Sequence, residues 1–238
     1  MTKIVVLIVA GGVGGRCKGY DLIVPKQYAT IKDKPILTYT IEKFLNNKDV
    51  SLVRTVIRED HKNLYEQAVS LLPDAKLLHP IYGGKRRQDS VRFGLESIVD
   101  VSPDIVIIHD ACRPFIADKT ISDIISFLSK NCETTQGVVP ATAVTDTIRV
   151  VVDNSIKSHV CRNTVKALQT PQAFKFNDIL TCHKLAYSID PGKEFTDDSS
   201  VMMEFNKSVA VINGDDDNLK ITTKEDLYTA QILQKVIA

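Results

Sequence analysis

The chain has 238 residues, 44% of them hydrophobic, enough for one large domain or two small ones with a sizeable core. Thirty basic residues against 29 acidic ones leave a net charge of +1, which excludes the broad cationic field of a nucleic-acid or membrane-surface binder and makes any basic site a local one. Five cysteines, odd in number and without a C-x-x-C pair, fit reduced thiols in a cytoplasmic protein better than a disulfide framework or a zinc site.

The first element is the apolar run IVVLIV, Ile4–Val9. It is at the short limit for a signal peptide and leads into glycine without a small-x-small cleavage site, so it reads as a buried strand. Further strand-length apolar runs follow at Leu52–Ile57, 105–108 and 209–212, continuous as expected for strands buried on both faces of a parallel sheet. Between them, apolar residues at three- and four-residue spacing predict helices over 35–45, 63–72, 90–99, 120–128 and Lys224–Ile237. Strand alternating with helix predicts an α/β fold with a Rossmann-like, doubly wound, mostly parallel sheet. No run is long enough to cross a bilayer.

One stretch breaks the alternation. Residues 141–161, ATAVTDTIRVVVDNSIKSHVC, are β-branched and half alternating around an Asp153-Asn154 turn signal, which predicts a projecting β-hairpin. A lone hairpin is marginal in water, and a symmetric partner chain is its simplest support. The expectation is one domain over 1–238 with an arm at 141–163 that forms a homodimer.

In an open parallel sheet, ligands sit beyond the carboxyl ends of the strands, so the segments after each apolar run come first. AGGVGGRCKGYDLIVPKQY, residues 10–28, fits neither the G-x-G-x-x-G fingerprint nor a Walker A loop. Its glycines can still present backbone N–H groups to a phosphate, with Arg16 and Lys26 adding charge; the plainer alternative is a surface turn with solvated cations. GGKRRQDSV, residues 83–91, predicts a helix N-terminus capped by Asp89 or Ser90, suited to a phosphate or a base edge, or simply an ordinary capped helix.

In IVIIHDACRPF, residues 105–115, Asp110 ends a buried strand. A carboxylate there needs a cation, either a Mg²⁺ shared with substrate phosphates or Arg113. His109 and Cys112 read as core or supporting residues. In NGDDDNLKIT, residues 213–222, Asp217 is a candidate second carboxylate and Lys220, in a predicted apolar strand, a third crevice cation; a solvated turn is the alternative. Cations around a polyphosphate, with carboxylates for a divalent metal, are the equipment of phosphoryl or nucleotidyl transfer.

Taken in order, AGGVGGR with PKQY, GGKRRQDSV, HDACRP, Asp146-Thr147, CRNTVKALQTPQAF, TDDSS and GDDDNLKIT resemble the 2-C-methyl-D-erythritol 4-phosphate cytidylyltransferases, the CTP-using enzymes of the non-mevalonate isoprenoid pathway. The likeness runs nearly end to end. It implies that Ala10, Gly11, Gly12, Gly14 and Gly15 bind the nucleotide, with Arg16, Lys26 and Lys220 as the catalytic cations. Gly84, Asp89, Ser90 and Ala111 would complete the nucleotide site on the cytosine side, and Asp110 and Asp217 would attend Mg²⁺. Asp110, Arg113, Thr147, Arg162 and Thr170 would bind the phosphorylated polyol, with Thr147 and Arg162 supplied across a homodimer interface. No nucleic acid or membrane is implied as a partner. Gly11, Cys17 and Lys18 depart from the family's usual loop. Gly11 is similar to the loop of the related pentitol-phosphate enzymes, which leaves ribitol 5-phosphate as the alternative alcohol; a non-catalytic CTP-binding module is a third reading. Some family members carry a fused cyclodiphosphate synthase domain, which a chain ending at Ala238 is expected to lack.

Overall fold

A computed structural model of the chain describes residues 2–12 and 24–237. Strand β1 (Ile4–Val9) is followed by the short ribbon β2 (Thr30–Ile31) and β3 (Lys34–Pro35), then α1 (Ile36–Leu45), β4 (Leu52–Ile57), α2 (Lys62–Val69), β5 (Ile81–Tyr82), α3 (Arg87–Ser97), β6 (Ile105–Asp110) and α4 (Asp118–Lys130). The second half holds β7 (Gly137–Ala143), β8 (Arg149–Val152), β9 (Ser155–His159), β10 (Lys166–Leu168), β11 (Gln172–Lys175), α5 (Phe176–Ile189), α6 (Asp198–Glu204), β12 (Val209–Asn213) and α7 (Lys224–Ile237). No described helix is long and apolar enough to cross a membrane.

The central sheet runs β10-β7-β11-β6-β1-β4-β5, with β12 also paired to β7. Pairs β1–β4, β1–β6, β4–β5 and β7–β12 are parallel, while β10 and β11 run antiparallel to their neighbours. Period-two geometry packs Ile4, Val6 and Ile8 of β1 with α1, α2 and α4, and Val5 and Leu7 with α3, α5 and α6. Helices therefore cover both faces, as the alternation predicts. Phe44, Leu37 and Ile41 are fully buried on one face and Leu95 on the other, each worth about 1.5–3 kcal/mol in apolar burial. The chain passes from β1 to β4 on one side and returns through α3 to β6 on the other, which opens a crevice beyond Val9 and Asp110.

The arm is shorter than its sequence pattern. Residues 141–143 close β7 inside the central sheet, where Ala141 is buried, because β10 and β12 pair along this end of the strand. The hairpin itself is β8–β9, a separate two-stranded sheet. Asp153 and Asn154 both have positive φ, 49° and 59°, the left-handed pair that a tight hairpin turn needs and that Asp and Asn tolerate.

Candidate active site

The crevice at the switch point holds a cavity of about 230 Å³. The end of β1 contributes Ala10, Gly11 and Gly12, and the start of α3 with its preceding turn contributes Gly84 and Ser90. Asp110 and Ala111 come from the end of β6, Lys26 from the turn after Pro25, and Lys220 from the segment before α7. The expected Gly14, Gly15 and Arg16 lie outside the described residues.

Asp110 is the electrostatic centre of this cavity. Lys220 Nζ lies 2.7 Å from its Oδ2, Arg87 Nε 3.4 Å from its Oδ1 and Arg113 Nε 3.8 Å from Oδ2. Burial alone would raise this carboxyl, but Arg87, Lys220 and Arg113 outweigh it and hold the group well below the usual carboxylate range. Its own backbone N–H donates to Thr170 Oγ1 at 3.1 Å, and Thr170 Oγ1 lies 3.2 Å from His109 Nδ1. His109 Nε2 faces the Arg113 carbonyl at 3.1 Å, so Nε2 carries the proton and Nδ1 accepts from the threonine hydroxyl. Burial pulls this imidazole down to about 4, which keeps it neutral.

Glycine at 83 and 84 is a packing requirement. A Cβ on Gly83 would stand 2.4 Å from Ser90 Oγ, and one on Gly84 would stand 2.4 Å from the Asp89 Cβ. With both absent, α3 approaches closely, and the Gly84 N–H donates to Ser90 Oγ at 3.1 Å. Gln27 fixes the opposite wall: its Nε2 donates to the Ala10 carbonyl at 2.7 Å and to the Gly12 carbonyl at 3.2 Å. Lys26 Nζ donates to the Ile221 carbonyl at 3.1 Å, which brings it beside Lys220.

Several expected residues sit elsewhere. Helix α3 starts at Arg87, before the predicted cap. Asp89 is its third residue and does not line the cavity; Arg86, 2.8 Å away, holds its carboxyl below the usual range. Lys220 enters the crevice from the connection between β12 and α7, outside any strand. Asp217 is exposed and lines a separate open cleft beside α4, because the turn directs its neighbour inward instead. That neighbour, buried Asn218, donates its side-chain amide to the Thr170 carbonyl at 2.8 Å, and its backbone carbonyl accepts from Arg113 Nη1 at 2.7 Å. Arg113 and Thr170 are thereby buried braces beneath Asp110 and do not line the cavity. Thr147 and Arg162 are exposed at the base of the hairpin, away from this chain's cavity, with Arg162 Nη1 donating to the Thr145 carbonyl at 2.8 Å.

The sequence reading missed the side chains of Gln27, Arg58, Lys85, Arg86 and Arg87, all of which line the cavity. Arg87 had a signal: it stands four and eight residues before Val91 and Leu95, on the stripe of α3 that faces the sheet. The other four had none. The described residues contain no group of three or more His, Cys, Asp or Glu able to cage a metal. Among them, Asp110 is the carboxylate that lines the cavity, and Arg87 Nε stands 3.4 Å from its Oδ1. That donor set fits a Mg²⁺ bound mainly by phosphate oxygens rather than by an all-protein cage.

The family model described as IspD, 2-C-methyl-D-erythritol 4-phosphate cytidylyltransferase, matches residues 4–235. A bifunctional IspD/IspF enzyme of Wolbachia pipientis wMel is 46% identical over 97% of this chain and 55% of its own length; the chain spans about half the length of the bifunctional relatives it matches. The 2-C-methyl-D-erythritol 4-phosphate cytidylyltransferase of Clostridioides difficile is 34% identical over 95% of this chain and 91% of its own. Among solved structures, a 4-diphosphocytidyl-2C-methyl-D-erythritol synthase from Anaerococcus prevotii superimposes with a TM-score of 0.83 at 26% identity, covering 98% of this chain and 96% of that one. Continuous similarity from the first strand to the last helix, in sequence and in fold alike, places the chain in the IspD family.

Proposed function

We propose that the protein transfers the cytidylyl group of CTP to 2-C-methyl-D-erythritol 4-phosphate, giving 4-diphosphocytidyl-2-C-methyl-D-erythritol and pyrophosphate. One observation carries this reading: among the described residues, segments far apart in sequence converge on a cavity lined by Lys26, Arg58, Lys85, Arg86, Arg87 and Lys220 around one carboxylate, Asp110. Such an excess of positive charge suits a triphosphate, and its placement at a switch point suits a nucleotide. The family match supplies the nucleotide and the alcohol.

In the reaction, a phosphate oxygen of the polyol attacks the α-phosphorus of CTP in line, a new P–O bond forms, the α–β bridge breaks and pyrophosphate leaves. Lys220 and Lys26 stand where negative charge builds on the phosphates, and they act by preorganised electrostatics. The Gly11 and Gly12 backbone, held by Gln27, lines the same wall. Asp110 orients Lys220 and is the protein ligand available to a Mg²⁺, which when bound would neutralise phosphate charge.

The second part of the reading is a homodimer built through β8–β9. Every residue of both strands is exposed, including Val150 at 44%, Val151 at 56%, Val152 at 48% and Ile156 at 71%. Apolar side chains on a two-stranded ribbon need a partner surface. A second copy would also bring Thr147 and Arg162 toward a neighbouring site to hold the polyol phosphate.

Purified protein given CTP, Mg²⁺ and one phosphoalcohol at a time tests the reaction through pyrophosphate release. Turnover with the methylerythritol phosphate is expected. Faster turnover with ribitol 5-phosphate overturns the alcohol, and CTP binding without turnover on either overturns catalysis.

A further inference from the structure

Arg87 carries a second contact on the side away from Lys220. Its Nη2 lies 2.8 Å from Oδ2 of Asp198, the first residue of α6, while its Nε faces Asp110. Asp198 is 1% exposed, and its other oxygen lies 3.2 Å from Nε2 of His183 on α5, itself 3% exposed. Burial would raise the Asp198 carboxyl, but Arg87 and His183 outweigh it and keep the group ionised.

A carboxylate this deep is costly, and apolar packing commonly replaces a buried ion pair without loss of stability. Its presence here is explained by what Arg87 can do with it. A guanidinium is a planar fork whose separate nitrogens, here Nε and Nη2, reach two carboxylates that stand apart, whereas an ammonium has one nitrogen that would have to lie within reach of both. The far end of the fork is fixed to the sheet: Gln172 on β11 donates to Asp197 Oδ2 at 2.8 Å and accepts from the Ser199 N–H at 3.2 Å, and Asp197 caps α6 by accepting from the Ser200 N–H at 2.9 Å. Without Asp198, the partly exposed Arg87 side chain would be free to turn onto incoming phosphates.

We propose that Asp198, braced by His183, is a positioning residue that acts through Arg87: it holds the guanidinium against Asp110, so that Asp110 keeps its orientation toward Lys220. The role rests on the cytidylyltransfer reading above. TDDSS thereby becomes the outer anchor of the catalytic charge pattern.

The test compares Asp198→Asn, Asp198→Glu and Arg87→Lys in the folded protein, below the melting temperature of each variant. Asp198→Asn is expected to lower kcat by about tenfold while the KM for CTP falls by about threefold or more, because the released Arg87 binds phosphate. Arg87→Lys should lose a similar factor although its charge is kept, and Asp198→Glu should recover most of the rate. A kcat loss of less than about threefold in Asp198→Asn overturns the proposal, since a structural residue would change only the melting temperature. If Asp198→Asn does not fold, His183→Gln removes the brace alone: a kcat loss of about threefold or more with CTP KM unchanged supports the role, and a smaller loss overturns it. If the unmutated protein releases no pyrophosphate from any phosphoalcohol, the parent reading fails instead. Calorimetry with CTP then decides the positioning: binding tightened by about threefold or more in Asp198→Asn supports it, and a smaller change overturns it.

Discussion

The two ends of the molecule handle polar and apolar groups in opposite ways. At the crevice, charged groups are buried and tied: among the described residues Asp110 has three cationic neighbours, and Thr170 and His109 lie directly behind it. On the arm, apolar groups are exposed: four of the nine residues in β8 and β9 are Val or Ile, open to solvent. The charged centre of the crevice is held within one chain because its strands are fixed by neighbours on both sides. The hairpin is shaped by its own turn and left without cover. The crevice that holds fixed charges is built into the sheet, whereas the exposed apolar ribbon, the surface proposed for a second copy, is built outside it.

The largest test of this contrast is at the crevice. Lys220→Ala removes the ammonium 2.7 Å from Asp110 and is expected to lower kcat on the order of a hundredfold or more while CTP affinity changes by less than about threefold. Pyrophosphate release and calorimetry measure the two quantities, and unchanged turnover takes Lys220 out of the reaction.

Acid should act on the same region. With its folded value near 4, His109 stays neutral while an unfolded chain takes up a proton below about 6.5. The unfolded state therefore binds more protons between about pH 6.5 and 4. This residue's part of the stability is intact above that window and is lost as pH falls through it, on the order of 3 kcal/mol in all. Urea midpoints followed from neutral to acid pH should fall less steeply for His109→Gln; equal slopes would mean that the buried imidazole does not set the acid response.

A smaller effect belongs to Gln27. Gln27→Ala leaves the carbonyls of Ala10 and Gly12 without their donor, and the glycine wall loses its strap. The KM for CTP is expected to rise by about tenfold with kcat within about threefold; a change in kcat alone would place Gln27 in chemistry rather than in holding the wall.

The smallest effect on chain stability is expected on the arm. Val151→Asp with Ile156→Asp replaces exposed apolar side chains with charges, and it should change the unfolding free energy by less than about 1 kcal/mol. The same pair should shift the species in solution from two chains to one, read by sedimentation. An unchanged two-chain mass would move the interface off the hairpin.

Much of the scaffold was legible because burial on both faces writes itself as unbroken apolar runs. Strands β1 and β4 and helix α7 occupy the residues that their patterns predict. Strand β11 and helices α5 and α6 lie outside the predicted elements. The four residues of β11 are too few to carry a period, and their antiparallel place between β6 and β7 depends on those strands. The cation-rich GGKRRQ shows the same limit: the helical stripe turns Arg87 toward the sheet, but nothing along the chain gives the partners, Asp89 for Arg86 and both Asp110 and Asp198 for Arg87.

By itself the sequence determined the layered fold, the glycine turns and the segments that meet at the crevice, since periodicity, turn chemistry and the strand-end rule are local. Only the tertiary structure decided which charges serve that crevice. Asp217 and Asp110 are both candidate metal carboxylates along the chain, one in a turn and one at a strand end, yet the inward turn of Asn218 sends the first to solvent while the end of β6 buries the second among cations. A carboxylate's role depends on what faces it, and that is fixed by neighbours far away in sequence.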